Sequence, residues 1–75
     1  MNSQYPAQII QEEDGLFFVS FPDIEEAVTQ GDTLEEALFN ASEVLTLTLE
    51  YRLDEGMERP ESSPLTGEDV YWIHR

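Results

Sequence analysis

The stretch from residue 31 to 55, G-D-T-L-E-E-A-L-F-N-A-S-E-V-L-T-L-T-L-E-Y-R-L-D-E, constrains this chain more than any other. After Gly31 no glycine or proline interrupts it until Gly56, and Leu34, Ala37, Leu38, Ala41, Leu45, Thr48 and Leu49 recur at intervals of mostly three and four. That spacing lays them on one stripe and predicts a helix over 33–54. Thr33, with Glu36 three residues on, has the spacing of a reciprocal capping box; Asp32 with Glu35 is a rival register one residue earlier. Glu35, Glu36, Glu43 and Glu50 take the wetter side, and the first two favour the positive end of the helix. Phe39 and Leu47 fall off the stripe. The helix therefore either buries more than one side or offers part of its back to a partner.

A helix of this length needs a flat surface to lie against, and the first thirty residues look built to supply one. A strand is predicted over 4–11, with Tyr5, Ala7 and Ile9 on one face and Pro6, Gln8 and Ile10 on the other. Pro6 has no N–H to give a ladder, which argues for a strand start or a sheet edge. Asp14-Gly15 closes a tight turn, and a second strand over 16–21 follows. It sets Phe17, Val19 and Phe21 against Leu16, Phe18 and Ser20, and two apolar faces near its start suggest a central strand. Pro22-Asp23 breaks it, Ile24-Glu25-Glu26 reads as a short acidic connection, and a third strand is predicted over 26–30. Phe17, Val19, Leu38, Leu45 and Leu49 are expected in the core. Residues 57–67 read as a loop and 70–74 as a last strand. That strand stops in mid-pattern at Arg75, so the chain is expected to be a single domain, 1–75, of a longer protein.

Seventy-five residues bound the answer to one small domain. The absence of cysteine excludes disulfides and thiolate metal sites. With no basic-then-apolar start and no long apolar run, the expected location is cytoplasmic, away from membranes. Charge is the most unusual feature: seventeen acids face three arginines and no lysine, a formal charge of -14. Such a surface repels phosphate backbones and attracts cationic partners. Disorder is excluded by 40% well-patterned apolar residues.

No catalytic constellation emerges. His74 stands alone in the last strand, and there is no phosphate loop, zinc spacing or nucleophile elbow. Glu12-Glu13-Asp14 is a solvated turn, and no cofactor or metal is expected. Asn40-Ala41-Ser42 matches a glycosylation sequon only by chance, inside the predicted helix. The residues describe a small acidic αβ module that binds protein rather than catalyses. Two candidate surfaces follow. One is the turn carrying Phe21, Asp23, Ile24, Glu25 and Glu26; the other is the helix back around Glu36, Phe39, Glu43 and Leu47.

The succession Tyr5-Pro6-Ala7, Glu13-Asp14-Gly15, F-V-S-F-P-D-I over 18–24 and T-Q-G-D-T-L-E-E-A over 29–37 resembles the N-terminal domain of HicB-type antitoxins. The likeness extends through the helix to Pro60 and Ser63-Pro64. It implies an α+β fold, a three-stranded antiparallel sheet on one long helix with a further short strand, partial ribonuclease-H-like. It also implies a partner, the HicA toxin, a small basic ribonuclease that cleaves messenger RNA and whose active surface the antitoxin covers. In longer, self-associating members a C-terminal domain, helix-turn-helix or ribbon-helix-helix, binds operator DNA and represses the operon; that domain lies outside this chain. The ribonuclease-H likeness restores no activity, since no acids are clustered for two metals. The competing class is an acidic regulatory or interaction module with no toxin partner.

Overall fold

The computed structural model describes residues 4–74. Four strands and one helix follow in the order β1 (Gln4–Gln11), β2 (Phe17–Phe21), β3 (Ile24–Gly31), α1 (Leu34–Asp54) and β4 (Val70–His74). The strands form one antiparallel sheet in the order β3-β2-β1-β4. The expected α+β architecture is present, and the short last strand joins the same sheet beside β1.

Alternation along the strands decides which side chains meet the helix. Tyr5, Ala7 and Ile9 of β1, Val19 and Phe21 of β2, and Ile73 of β4 point to one side and are buried. Ala37, Ala41, Leu45 and Leu49 of α1 close over them, at the spacing that defined the stripe. Of the expected core residues, Val19, Leu45 and Leu49 are buried, while Phe17 and Leu38 pack against the core from its margin.

Two expectations are corrected. The third strand begins at Ile24, so Ile24-Glu25-Glu26 is strand and only Pro22-Asp23 turns. The register shifts between Ser20 and Phe21, and the buried positions of β3 fall at Ile24, Ala27 and Gly31. That irregular spacing puts both glutamates outward and hides the strand from a period-two search. Second, β1 is interior, with β3 and β4 at the edges. Pro6 nevertheless sits where an edge residue would, because β2 pairs with β1 only from Gln8 onward and Pro6 faces Trp72 of β4 alone.

Both helix ends are built from the sequence. The Glu36 N–H donates to Thr33 Oγ1 at 3.1 Å, and the Glu36 carboxylate accepts from the Asp32 N–H at 2.8 Å. Thr33 is thus the cap, not Asp32. At the other end the Met57 N–H reaches the Arg52 carbonyl and the Gly56 N–H the Leu53 carbonyl, with Gly56 at a φ of 75°. This is a Schellman closure, whose left-handed position a glycine adopts without steric cost.

The approach of β3 to the helix start is the tightest point. A Cβ on Gly31 would lie 2.5 Å from the Ala37 nitrogen and 2.8 Å from its Cα. Both are backbone atoms and cannot swing aside. Gly31→Ala is therefore expected to lower the melting temperature by several degrees or more. Leu45→Ala, which empties a fully buried position, is expected to cost about 2–5 kcal/mol in urea unfolding. Unchanged melts for both variants would contradict this packing.

Candidate protein-binding surfaces

The turn that the sequence marked as a binding surface is turned largely inward. Phe21 is 2% exposed and Ile24 0%, so these two are core residues and present no side chain to a partner. Their apolar character, together with the bulge at Ser20/Phe21, serves the sheet rather than an interface. Asp23 is occupied as well. Its carboxylate accepts from the Ser63 N–H at 2.9 Å and from the Ser63 hydroxyl at 2.7 Å. Glu26 receives both Arg52 Nε, at 2.7 Å, and Arg52 Nη2, at 2.6 Å. Of the acids in this turn, only Glu25 is exposed and points into solvent without a side-chain hydrogen bond.

These bonds belong to a clasp that holds the 57–67 loop. The Tyr5 hydroxyl, a buried side chain whose phenol is pushed up by desolvation, donates to the Pro60 carbonyl at 2.6 Å. Ser62 donates to the Gln4 carbonyl, and Ser63 ends on Asp23. The helix is tied to both sheet edges in the same manner. Asn40 donates to the Gln30 carbonyl of β3 at 2.9 Å, and Ser42 to the His74 carbonyl of β4 at 3.1 Å. The two polar residues of the chance sequon thus have structural work.

The helix back matches the alternative of an exposed side. Phe39 and Leu47 are each 65% exposed, two turns apart, and Glu43 lies exposed between them. With Ser42 and Thr46 they line an open groove of about 260 Å³. Glu36, at the near end, is engaged in the cap.

A second open surface was not singled out from sequence. The helix covers one face of the sheet, and the other carries Ile10, Phe18, Val28 and Trp72, all between 40% and 47% exposed. Ile10 stands directly opposite Phe18, and Val28 is the diagonal neighbour of Phe18 through the Phe18–Gln30 pair. The signal was the apolar character of both faces of the second strand, which a central position explains equally well.

Among the described residues no group of three His, Cys, Asp or Glu side chains is placed to hold a metal ion. No helix among them is long and apolar enough to cross a membrane. What the domain offers chemically is apolar surface edged with carboxylates.

Comparison with known proteins agrees with this fold. The family profile described as HicB_like antitoxin of bacterial toxin-antitoxin system matches residues 4–74. The chain belongs to the HicB-like antitoxin family. It is 44% identical over 68 residues to Antitoxin HicB 1 of Photorhabdus laumondii subsp. laumondii, spanning 91% of this chain and 43% of that protein. A chain in a toxin–antitoxin complex from Streptococcus pneumoniae is 36% identical, with a TM-score of 0.74 over 84% of this chain and 48% of its own. The crystal structure of the N-terminal domain of Burkholderia pseudomallei antitoxin HicB shares the fold, with a TM-score of 0.72 at 20% identity, covering 93% and 92% of the two chains. The chain spans about half the length of the curated relatives it matches.

The Glu26–Arg52 pair makes a pH-dependent prediction. The guanidinium bonds hold the Glu26 carboxyl at about 2, down from 4.5. A depressed carboxylate contributes stability above its unfolded value and loses it as pH falls through the folded one, here from about 4.5 to about 2. Because the Glu26 side chain is 47% exposed, solvent screening limits the effect to at most about 1 kcal/mol. Urea unfolding of Glu26→Gln at pH 7 and pH 2.5 is expected to show a deficit against the parent chain that shrinks at the lower pH. A deficit that is the same at both pH values would contradict the pairing.

Proposed function

We propose that this chain is the toxin-neutralising part of an antitoxin, which binds a small basic HicA-type ribonuclease and covers the surface that grips messenger RNA. In the longer protein, operator binding and repression of its own operon fall to a domain outside these residues. The chain itself performs no catalysis.

The observation that carries the proposal is charge on a family fold: a HicB-like domain with seventeen acids, three arginines and no lysine. A ribonuclease must present cations to its substrate, and a surface at -14 competes for those cations as the phosphate backbone does. The relative seen in a toxin–antitoxin complex supports the same partner class. Two contributions are separable. Distributed carboxylates speed encounter and fade with salt, while apolar contacts and a few well-paired acids slow dissociation. Of the acids and apolar groups first singled out, Glu25, Phe39, Glu43 and Leu47 remain outward and open to such contacts; the helix side is one of the two faces available.

The test is a binding and inhibition assay with the 75-residue chain and the HicA-type toxin of the same locus. Sub-micromolar binding at about 0.15 M ionic strength is expected, with an association rate that falls as salt rises. RNA cleavage should stop near equimolar chain. The chain alone should neither cleave nor retard RNA or operator DNA in a gel. Failure to bind the toxin, or tight binding to nucleic acid, would overturn the proposal.

A further inference from the structure

The fold leaves much of the sheet face opposite the helix open, although Pro6 at one end of it is fully buried. On β1 and β2, Ile10 and Phe18 form a cross-strand pair, and Val28 extends the apolar surface onto β3. Trp72 adds an aromatic ring on β4, opposite the fully buried Pro6. Ile10, Phe18 and Val28 neighbour one another across three strands, and Trp72 lies on the fourth, beyond Gln8 and four β1 positions from Ile10. The helix back is narrower. Phe39 and Leu47 are separated by about 12 Å along the axis, and Glu43 intervenes. Its other acid, Glu36, already caps the helix.

What surrounds the patch selects its occupant. At the hairpin end, Glu12 and Glu13 join Asp14, Leu16, Phe18 and Gln30 around a shallow concavity of about 490 Å³. Phe18 is thus both part of the apolar patch and part of the wall below the carboxylates. At the β4 side, Glu68 and Asp69 immediately precede the strand, and the Asp69 carbonyl accepts from the Ile9 N–H. Arg52 and Arg59 line a small pocket at the far end of the helix, with Leu49, Leu53, Met57 and Pro60. They are therefore not part of this rim. An apolar floor edged by acids repels a second copy of a chain at -14, and it repels nucleic acid. It suits a protein with an apolar centre ringed by Lys and Arg.

We infer that the bare face of the sheet, with Phe18 and Trp72 as its anchors, is the docking surface for a basic protein partner. The identity of that partner rests on the antitoxin function proposed above; the choice of face does not depend on the helix side contributing. Large aromatic side chains buried in an interface are the usual carriers of binding energy, while rim carboxylates act on the rate of encounter. Phe18 and Trp72 should therefore control dissociation. Glu12 and Glu13 should control association.

The probe is a catalytically inactive HicA-type toxin from the same locus, measured by surface plasmon resonance. Phe18→Ala and Trp72→Ala are each expected to weaken binding roughly tenfold or more, chiefly through faster dissociation. Glu12→Gln with Glu13→Gln should slow association severalfold and flatten its salt dependence, leaving dissociation unchanged. Phe39→Ala and Leu47→Ala should change affinity less than about threefold. The absence of cysteine allows a footprint that does not depend on losing affinity. Thiol alkylation of Val28→Cys should be blocked by bound toxin, and that of Leu47→Cys should not. If the parent chain binds but Leu47→Cys is the protected position, or Phe39→Ala and Leu47→Ala carry the loss, the face is wrong and the antitoxin function stands. If the parent chain does not bind, both fall.

Discussion

The close seating of α1 on the sheet is the constraint on which the rest of this domain depends. Small residues make it possible: Ala37 and Ala41 face the strands, and Gly31 leaves no room for even a methyl group beneath the helix start. Leu45 and Leu49 then fill the space where the helix runs on over the core. This single layer of helix carries the apolar stripe, and among the described residues no second helix covers the opposite face. A two-layer domain of this size exposes one sheet face by construction. Whether such a face becomes an aggregation hazard or a binding surface is decided by its edges, and here those are acidic.

Much of this was legible in the sequence because the relevant signals are local. The capping box, the three-and-four spacing and Gly56 each act within a few residues, and the helix emerged within one residue of where they put it. The alternation of Tyr5, Ala7 and Ile9 likewise grouped three residues that are buried together on β1, without saying which face that was. The family likeness of the F-P-D-I and T-Q-G-D-T blocks agreed with the profile match over 4–74. The start of β3 was missed because Glu25-Glu26 sits on a register shift, where alternation fails. Strand alternation also names no neighbour, so the place of β4 beside β1 could not be read from it.

The surface was less legible, for a physical reason. A carboxylate in a turn looks free when only its flanking residues are considered. Asp23 is claimed by Ser63, forty residues on, and Glu26 by Arg52, twenty-six residues on. Phe21 and Ile24 resemble an exposed apolar pair beside acids, yet both sit in the core. Conversely, Phe18 and Ile10 look like the second face of a buried strand, yet they are 40% and 43% exposed. Exposure is a property of what else folds nearby, and that is the part of the answer a linear pattern holds least.

The clasp over the 57–67 loop has a consequence for the order in which the domain closes. β1 is the first strand made, yet one of its two neighbours is the last, and the Tyr5–Pro60 bond joins groups fifty-five positions apart. Hairpins β1-β2 and β2-β3 and the helix can assemble from nearby segments, whereas β4 must return across the length of the chain. Closure entropy makes such a return late and slow compared with local pairing. On a ribosome, the outer side of β1 would stay open until β4 had emerged. The domain is thus finished from its C-terminal end inward, and Trp72 takes its place on the bare face only in that closing step.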